Sequence, residues 1–352
     1  MFTRMWRRSK GPVIGLAMSV RSVKAVAIEQ IGTQFKLIAW GEAALAPQCL
    51  STTEVKDSAA LTRAIQTACS SLPKKSFRTI TALSDDAVLC KTIPINALSS
   101  EEEIMAQAFV TASQAIASPA AELCCDYQII PSSSPECFVS FAAARAQTIA
   151  AYHQAVSDAG FTLSVIDVES YILAQTYHYF VPKNVSLGIP SAILDIAQHR
   201  SLFVMVNKTT SIYARTETFV EEHLIKKISE VNSFIHAVSE SQSGNFLQDC
   251  QNETMTLFFQ ALVQQLKRHL QFFVMSHPSE PIQQIFITGE YATLAGVSLF
   301  LSQETGLSVV QLNTLANVSL AAQHDSTQLL QQASSWLFPC ALAIRGFNNE
   351  KF

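Results

Sequence analysis

The stretch GLAMSVRSVKAVAIEQIG, residues 15–32, is followed by QFKLIAWGEAAL and decides how the fold begins. Apolar residues alternate in its first part, and short polar connections separate three runs with strand character. Alternation with a period of two is typical of a half-buried strand, and short connections between such runs are typical of antiparallel neighbours. The stretch therefore predicts a meander of three strands close to the N-terminus.

A later stretch repeats this order of elements. SAILDIAQHRSLFVMVNKTTSIYARTETF, residues 191–219, again predicts three strands in succession. When the two stretches are aligned, Ala17 falls on Asp195. We interpret them as an internal duplication that is weak in sequence but matched in element order. Because 352 residues also exceed the usual size of one hydrophobic core, two lobes are predicted.

The composition limits the classes of protein to which the chain can belong. Hydrophobic residues make up 49% of the sequence and charged residues 15%, which is typical of a folded protein and argues against intrinsic disorder. The net charge of −4 gives no general attraction to nucleic acid or acidic lipid. The eight cysteines form no C-x-x-C pair and no zinc-type spacing with histidine, so we expect free thiols in a reducing cytosol.

The basic N-terminal segment, residues 1–12, precedes an apolar run that has to be distinguished from a secretory signal. We do not predict a signal peptide, because the run alternates as a strand does and Arg21 and Lys24 interrupt it. No window reaches the roughly 18 to 20 consecutive apolar residues of a membrane-spanning helix. We expect a cytoplasmic chain whose first residues are either solvated or in contact with a membrane surface.

Helix and strand patterns alternate between the two meanders. Residues 57–72 and the segment QTIAAYHQAVSDAG have helical apolar spacing, whereas LCCDYQII and CFVSFAAAR have strand patterns. Ser99 or Ser100, followed by Glu102 or Glu103, predicts a capping box at the start of a further helix. This alternation predicts mixed α/β structure in the middle of the chain.

The order of these elements predicts the domain boundaries. Residues 77–165 are expected to form an α+β unit inserted into a first lobe made of residues 13–76 and 166–190, and residues 191–347 form the second lobe. Two long helices are predicted in the second lobe, over EEHLIKKISEVNSFIHAV and ETMTLFFQALVQQLKRHLQFFVM. The second of these helices carries an apolar stripe on one side.

The predicted order of elements resembles the actin-like (ribonuclease H-like) nucleotide-binding fold. It has two lobes that each begin with a meander, an insertion in the first lobe, and a late strand, QQIFITGEYATLAG, that runs into a loop and a helix. Within that fold the chain resembles the PilM family of type IV pilus assembly proteins, and its inserted α+β subdomain is similar to the one that PilM shares with the cell-division protein FtsA. The resemblance covers residues 12–347 and rests on SVRSVKAVAI, FTLSVIDVESYILAQ, LDIAQHRSLFVMV, LKRHLQFF, IFITGEYATLAGV and PCALAIRGF, in that order.

The resemblance implies an ATP site between the lobes, where two hairpin turns present backbone N–H groups to the phosphates and carboxylates position magnesium. Asp167 and Glu169 either hold the metal or cap the helix that begins at Ser170. Lys24 either reaches a phosphate or is a solvated surface lysine. We interpret the histidines of this region, His199 and His223, as polar surface groups. The residues at the matching positions are Ser19, Ser22, Lys24, Asp167, Glu169, Asp195, Ala197, Gly289 and Glu290.

Four features of the family's site are changed in this sequence. The family's first turn reads Gly-x-Asp-x-Ser, whereas this chain has Ala17 in place of the carboxylate. The second turn reads Asp-x-Gly, whereas this chain has Ala197 in place of the glycine. The paired glycine expected after the third strand is absent from ETFVEEHLIKK, and the Gly-Gly beside the adenosine is Gly289-Glu290. Because glycine permits close approach and a carboxylate positions the metal, we predict weak or no binding of ATP with magnesium and no catalysis.

The function that the resemblance implies is a scaffold of the type IV pilus inner-membrane assembly complex that is not an enzyme and requires no cofactor. Such a scaffold is cytoplasmic, lies at the inner membrane of a bacterium, and is docked there by the cytoplasmic tail of a PilN-like bitopic protein. Other pilus inner-membrane and motor components are further expected partners, whereas nucleic acid is not expected and the membrane is reached only through partners. Two alternatives stay open, an ATP-dependent actin-like switch or ATPase and the cytoplasmic domain of a type II secretion L-type protein.

The resemblance also implies where the partner's tail binds. A short extended tail rich in Asn, Leu and Pro would lie between the first lobe and the inserted unit. In that unit, CFVSFAAAR places Phe138 and Ser140 on one side of a strand and Val139 and Phe141 on the other. One set packs on the unit's own helices and the other lines a groove, and the sequence does not decide which.

Overall fold

The computed structural model describes residues 11–73, 78–96, 99–130, 137–181, 190–197, 199–207, 210–218, 244–277, 281–314, 317–321, 329 and 332–347. Nearly all of the basic segment 1–12 and the helix predicted over EEHLIKKISEVNSFIHAV, with His223, lie outside these residues. The chain divides into two compact units. Unit 1 comprises Met1–Ile172, Asn317–Asp325 and Phe338–Phe352, and unit 2 comprises Leu173–Ala316 and Ser326–Leu337.

Unit 1 is built on a six-stranded sheet. Its strands are β1 (Val13–Met18), β2 (Ser22–Ile31), β3 (Gln34–Ala44), β4 (Arg78–Leu83), β8 (Thr162–Val168) and β14 (Val318–Leu320). They lie in the order β14-β3-β2-β1-β4-β8. The predicted meander of β1, β2 and β3 is confirmed as antiparallel, while β4, β8 and β14 pair parallel to their neighbours.

Different helices cover the two faces of this sheet. The alternate apolar residues of β1 point to the core that the sheet shares with helices α1 (Ser58–Ala68) and α3 (Ala146–Asp158). On the opposite face, helix α7 (Leu337–Arg345) approaches Gly15 so closely that a Cβ there would lie 2.0 Å from the Pro339 carbonyl oxygen. Gly15 is therefore required by helix packing.

A three-stranded antiparallel sheet, which we call the inserted sheet, also belongs to unit 1. It consists of β5 (Val88–Ile95), β6 (Leu123–Ile130) and β7 (Cys137–Arg145) in the order β5-β7-β6, and helix α2 (Glu101–Ile116) packs on one face. The capping box is confirmed at the start of α2: the Glu103 N–H donates to Ser100 Oγ at 3.3 Å, and the Ser100 N–H donates to Glu103 Oε2 at 2.8 Å. Both bonds satisfy helix N–H groups that would otherwise lack partners.

The packing differs from the predicted domain boundaries in three places. β4, α3 and β8 belong to the six-stranded sheet and its core, so the inserted sheet and α2 occupy residues 88–145 rather than 77–165. The physical reason is the short 3-10 helix Asp85–Ala87, which redirects the chain so that β4 and β5 enter different sheets instead of pairing. In addition, α7 from Phe338 onward lies in unit 1 rather than the second lobe, and residues 173–190 lie in unit 2 rather than the first lobe.

Unit 2 is built on a five-stranded sheet in the order β11-β10-β9-β12-β13, whose strands are β9 (Ser191–Ile196), β10 (Arg200–Asn207), β11 (Thr210–Thr218), β12 (Gln284–Thr288) and β13 (Ser308–Gln311). The second predicted meander, β9 to β11, is confirmed as antiparallel. Three further helices are α4 (Glu169–Phe180), which runs from unit 1 into unit 2, α5 (Gly244–Ser276) and α6 (Val297–Thr305). Among the described helices, none has the length and apolar character needed to cross a membrane.

The apolar stripe predicted for the second long helix is confirmed on α5. Phe259, Leu262, Leu266 and Phe273 are buried in the core of unit 2, and Met255 packs against that core. Residues at this spacing lie on one side of a helix, so the stripe holds α5 against the sheet.

Candidate functional site

The turn between β1 and β2 is closed by its own side chain. Ser19 Oγ accepts hydrogen bonds from the backbone N–H groups of Arg21, at 3.3 Å, and Ser22, at 3.0 Å. The Ser19 hydroxyl also donates to the Ser22 carbonyl oxygen at 3.0 Å. Two backbone N–H groups of the turn that the resemblance places at a phosphate therefore have a partner within the turn itself.

Lys24 lies opposite Ala17 in the pairing of β1 with β2. Its side chain is buried, with 6% of the residue exposed, and its Nζ lies 3.9 Å from Glu42 Oε1 on β3. A buried ammonium group needs a partner of opposite charge. The interpretation of Lys24 as a solvated surface lysine is thus wrong, because the cross-strand carboxylate keeps it within the sheet.

Asp167, at the end of β8, is engaged in a buried ion pair. Its Oδ2 accepts from the Nε–H of Arg345 on α7 at 2.8 Å, and its Oδ1 accepts from the Val168 N–H at 2.8 Å. Burial raises the pKa of Asp167 above its ordinary value, and the Val168 amide and the Arg345 guanidinium lower it. Arg345 therefore supplies the positive charge that compensates the buried carboxylate, and both carboxylate oxygens of Asp167 have a hydrogen-bond donor within the protein.

The cap of α4 comes from a residue that the sequence did not single out. The carboxylate of Asp85, in the short 3-10 helix after β4, accepts from the Ser170 N–H at 3.0 Å. A carboxylate at this position also interacts favourably with the positive end of the helix dipole. Glu169, the first residue of α4, is buried. The Ser170 amide is therefore capped from Asp85, 85 residues earlier in the chain.

The second turn, in unit 2, is held by close backbone packing. The Ala197 N–H donates to the Arg200 carbonyl oxygen at 2.9 Å and closes the connection from β9 to β10. Gly289 follows β12 with φ of +94°, and a Cβ there would lie 2.6 Å from the Ile196 carbonyl oxygen and 2.7 Å from Asp195 Oδ1. The structure thus brings Gly289 and Asp195 into contact, and this crossing of chain segments requires glycine at position 289.

Two neighbours of this turn complete the predicted set. His199 is buried, so its interpretation as a polar surface group is wrong. Glu290 is half-buried and begins a short 3-10 helix, Glu290–Thr293. The predicted residues are divided between the two units: Ser19, Ser22, Lys24, Asp167 and Glu169 belong to unit 1, and Asp195, Ala197, Gly289 and Glu290 belong to unit 2.

The inserted sheet has one face that α2 does not cover. Val139 and Phe141, with 0% and 1% of the residue exposed, pack in the core with α2, so of the two sets that the sequence left open this is the one that packs on the unit's own helix. Phe138 and Ser140 alternate with them and lie on the other face, where both are half-buried. We call this surface the open face; its rows across β5, β7 and β6 are Pro94, Phe138 and Ile130, then Thr92, Ser140 and Gln128, then Cys90, Ala142 and Asp126.

Tyr171, in the first turn of α4, is half-buried. Burial is the largest cause that raises the pKa of Tyr171; its neighbours Cys90 and Asp85 raise it further, and Ser140 lowers it. Tyr171 was missed by the sequence reasoning, because no local pattern connects it with strands 30 to 80 residues earlier.

A family model for the type IV pilus assembly protein PilM matches residues 15–347. The chain belongs to the PilM family. A solved structure described as a PilM–PilN type IV pilus biogenesis complex is 20% identical, with a TM-score of 0.73 over 97% of this chain and 99% of that one. The ethanolamine utilization protein EutJ from Carboxydothermus hydrogenoformans is 12% identical, with a TM-score of 0.51 over 94% of this chain and 88% of that one. These likenesses confirm the predicted actin-like fold.

The actin-like fold of the PilM family raises the question of whether a magnesium-bound nucleotide fits the residues present. In unit 1, the turn N–H groups bond to Ser19, Asp167 bonds to Arg345, and Ala17 supplies no carboxylate. Among the residues that the structure describes, no group of three or more His, Cys, Asp or Glu side chains is placed to hold a metal ion. The cluster of unit 1 does not fit a magnesium nucleotide, and we assign no chemical step to one.

Proposed function

We propose that this PilM-family chain is a scaffold of the type IV pilus assembly machinery that docks an extended cytoplasmic segment of a PilN-like inner-membrane protein on the open face. The observation that carries the proposal is the exposed apolar row of Pro94, Phe138 and Ile130. The similar structure described as a PilM–PilN complex supports this choice of partner. Attachment through that partner would hold the chain at the inner membrane of a bacterium.

The apolar row is suited to an extended segment. Pro94 is exposed, Phe138 is half-buried and 38% of Ile130 is exposed, so three apolar side chains lie abreast on a surface that α2 does not cover. Neighbouring strands lie about 4.8 Å apart, so the row is about 10 Å wide. That width matches one or two side chains of an extended segment, and a contiguous exposed apolar patch of this kind is typical of an interaction site.

The next row of the open face supplies polar groups. Thr92, Ser140 and Gln128 carry hydroxyl and amide groups beside the apolar row. An extended segment laid on the face can bury an apolar side chain on the first row and hydrogen-bond to the second. Because a flexible segment must be ordered when it binds, we expect modest affinity.

We also propose that the chain is not an enzyme and requires no ATP or magnesium. The buried Asp167–Arg345 pair, Ala17 at the first turn and the self-satisfied Ser19 turn support this part of the proposal. A nucleotide-dependent switch is the alternative function. Calorimetry with ATP and magnesium separates the two, since a dissociation constant in the low micromolar range, roughly −7 to −8 kcal/mol, would establish the switch instead.

The docking proposal is tested with a synthetic cytoplasmic tail of a PilN-like protein and the purified full chain. We expect Phe138→Asp to weaken binding at least about tenfold, because a buried charge loses the apolar contact and adds a desolvation penalty. Val110→Asp is the matched control, since 58% of Val110 is exposed and it lies on α2, which covers the opposite face of the sheet. Circular dichroism establishes that both variants are folded. Equal affinity of the folded Phe138→Asp variant and the wild type would place the partner site elsewhere.

A further inference from the structure

β6 forms one edge of the inserted sheet, and among the strands that the structure describes its only partner is β7. An edge strand presents a row of backbone N–H and C=O groups that can pair with another strand. Tyr127 shows which residues of β6 carry these outward groups, because its N–H donates to Asp126 Oδ1 at 2.9 Å and so points away from β7. The direction of the backbone groups alternates along a strand, so Cys125 and Ile129 also present theirs outward.

The two edges of the inserted sheet differ in how they are protected. β5 carries Pro94, which has no N–H group, and the exposed charge of Lys91. Proline and lysine on an edge strand both oppose the addition of a further strand. β6 contains neither residue type, and Asp126 is its one charged residue. The edge that remains suited to strand pairing is therefore β6.

An apolar surface lies beside β6 on the face that α2 covers. Ile129 is 50% exposed, and Tyr127 is half-buried. On α2, Gln107 Nε2 donates to the Pro94 carbonyl oxygen at 3.4 Å, so this flank of the helix faces β5. Phe109 lies about 200° further around the helix, on the flank toward β6, where it is half-buried and packs against the same core as Tyr127. A strand that pairs with β6 would therefore also cover apolar side chains.

A second copy of β6 fits this edge in one antiparallel register. Side chains directly opposite each other share a face of the sheet, so the two-fold axis must run through a residue and its own copy. An axis at Asp126 would oppose two carboxylates, which is unfavourable. An axis at Tyr127 instead opposes Asp126 with Gln128, whose amide can donate to the carboxylate, and it pairs residues 124–130 of both copies. Axes farther from the middle of β6 shorten the paired stretch.

We infer that β6 is a self-association edge through which two copies of this chain form a two-fold dimer with its axis at Tyr127. On pairing, the Tyr127 N–H exchanges the Asp126 carboxylate of its own chain for the Tyr127 carbonyl oxygen of the second copy. The axis is perpendicular to the sheet, so both open faces lie on the same side of the dimer and stay uncovered. One strand pair with its helix flank is a small interface, so we expect a weak dimer that depends on concentration.

Sedimentation equilibrium of the full chain tests the dimer and its location. We expect Ile129→Lys to weaken dimerisation at least about tenfold, because it places a charge on the pairing edge twice in each dimer. Val110→Lys is the matched control, since 58% of Val110 is exposed and it lies within about 60° of Gln107 around α2, away from β6. It should dimerise as the wild type does. Circular dichroism establishes that both variants are folded.

Cross-linking tests the register. The pair of Cys124 with residue 130 of the second copy is not hydrogen-bonded, so its Cα atoms lie about 4.5 Å apart, within the range of a disulfide. Under mild oxidation we expect Ile130→Cys to give a disulfide-linked dimer through the exposed Cys124, and Cys124→Ser to abolish the link. Thr92→Cys, on β5 two residues from the exposed Cys90, is the matched control and should give no more linked dimer than the wild type.

The possible results separate self-association from other uses of this edge. A wild type that stays monomeric at all concentrations, or a dimer that Ile129→Lys leaves intact, refutes the inference. A link in Thr92→Cys but not in Ile130→Cys would move the interface to β5. If the chain is monomeric and folded Ile129→Lys no longer binds the synthetic PilN-like tail, β6 pairs with the tail and not with a second copy. The docking proposal is independent of this dimer, since its own test rests on Phe138.

Discussion

The two meanders, β1 to β3 in unit 1 and β9 to β11 in unit 2, share their order and pairing but are stabilised differently. In unit 1 the first strand itself carries the glycine, Gly15, against which α7 packs. In unit 2 the glycine is Gly289, which follows β12 and crosses the end of β9. The carboxylates differ too, since Asp167 is paired with Arg345 whereas Asp195 lies against Gly289. The same arrangement of strands therefore does not require the same side-chain interactions in the two units. Both Gly15 and Gly289 have packing roles.

The largest loss of stability that we predict comes from a substitution at Gly15, and it should affect unit 1 rather than unit 2. In Gly15→Ala the new Cβ would lie 2.0 Å from the Pro339 carbonyl oxygen and 2.7 Å from the Ala343 nitrogen, so the α7 backbone would have to shift. We expect a loss of more than about 4 kcal/mol in the free energy of unfolding, measured with urea, and fast hydrogen exchange confined to unit 1.

Gly32→Ala is the control for this change, because nothing lies within 4 Å of a Cβ at Gly32 and only the φ of +64° opposes it. We expect this control to lose about 1 kcal/mol. A Gly15→Ala variant as stable as the control would show that α7 does not pack on β1 in this way.

The second prediction concerns the buried ion pair between Asp167 and Arg345 in unit 1. Arg345→Met leaves the buried Asp167 carboxylate without its partner, and removal of one member of a buried pair costs about 3–5 kcal/mol. Adding Asp167→Leu should recover part of that loss, because it removes the unpaired charge. Urea unfolding of the two single variants and the double variant measures the coupling, and additive losses would argue against the pair.

The pH dependence of Arg345→Met follows from the same pair. Without the guanidinium, burial leaves the pKa of Asp167 raised with less opposition. A carboxyl group whose pKa in the folded state exceeds its unfolded value stabilises the fold below that unfolded value and loses this contribution as the pH rises through the folded pKa. The deficit of Arg345→Met relative to the wild type should therefore be smaller at about pH 4 than at about pH 8.

The third prediction is the counterpart of Gly15→Ala in unit 2. Gly289→Ala forces an L side chain into a backbone conformation with φ of +94° and ψ of −179°. We expect a loss of about 3 kcal/mol, the upper end of the cost of such backbone strain, with the contact to the Ile196 carbonyl oxygen contributing. Fast hydrogen exchange should now be confined to unit 2. Fast exchange in unit 1 instead would contradict the separate packing roles of Gly15 in unit 1 and Gly289 in unit 2.

The sequence was sufficient for features that depend on near neighbours. Both meanders, the Ser100–Glu103 capping box and the apolar stripe of α5 follow from spacings of two to four residues, which set which side chains share a face. Long-range pairing was not predictable in this way. β4 joins β1 instead of β5, because a three-residue 3-10 helix changes the direction of the chain.

The candidate site shows the same limit. The alternation along β7 places Phe138 and Phe141 on different faces of the inserted sheet. Which of the two side chains is buried depends on the face against which α2 packs. Asp85 caps a helix 85 residues later in the chain, so this contact leaves no local pattern in the sequence. Lys24 is buried and pairs with Glu42 on β3, a residue that lies outside the turn motif.

The smallest effect that we predict concerns the buried titratable group of unit 2. His269, on α5, is 4% exposed, stacks on Phe203 with ring centroids 5.2 Å apart, and has its Nε2 3.3 Å from Glu217 Oε1. Burial lowers the pKa of His269 below its ordinary 6.5, Arg268 and Arg215 add to this, and Glu217 opposes it.

A histidine that is held neutral in the folded state makes folding less favourable once the unfolded chain takes up protons, so the free energy of unfolding should fall as the pH drops below about 6.5. His269→Phe keeps a ring on Phe203 and removes the titration. We expect it to change stability at pH 8 by less than about 1.5 kcal/mol, as for other swaps of similar volume. Urea unfolding at a series of pH values should then show a flatter acid limb in this variant than in the wild type. Gly32→Ala, which changes no titratable group, should keep the acid limb of the wild type. An acid limb as steep in His269→Phe as in the wild type would show that the acid sensitivity does not come from His269.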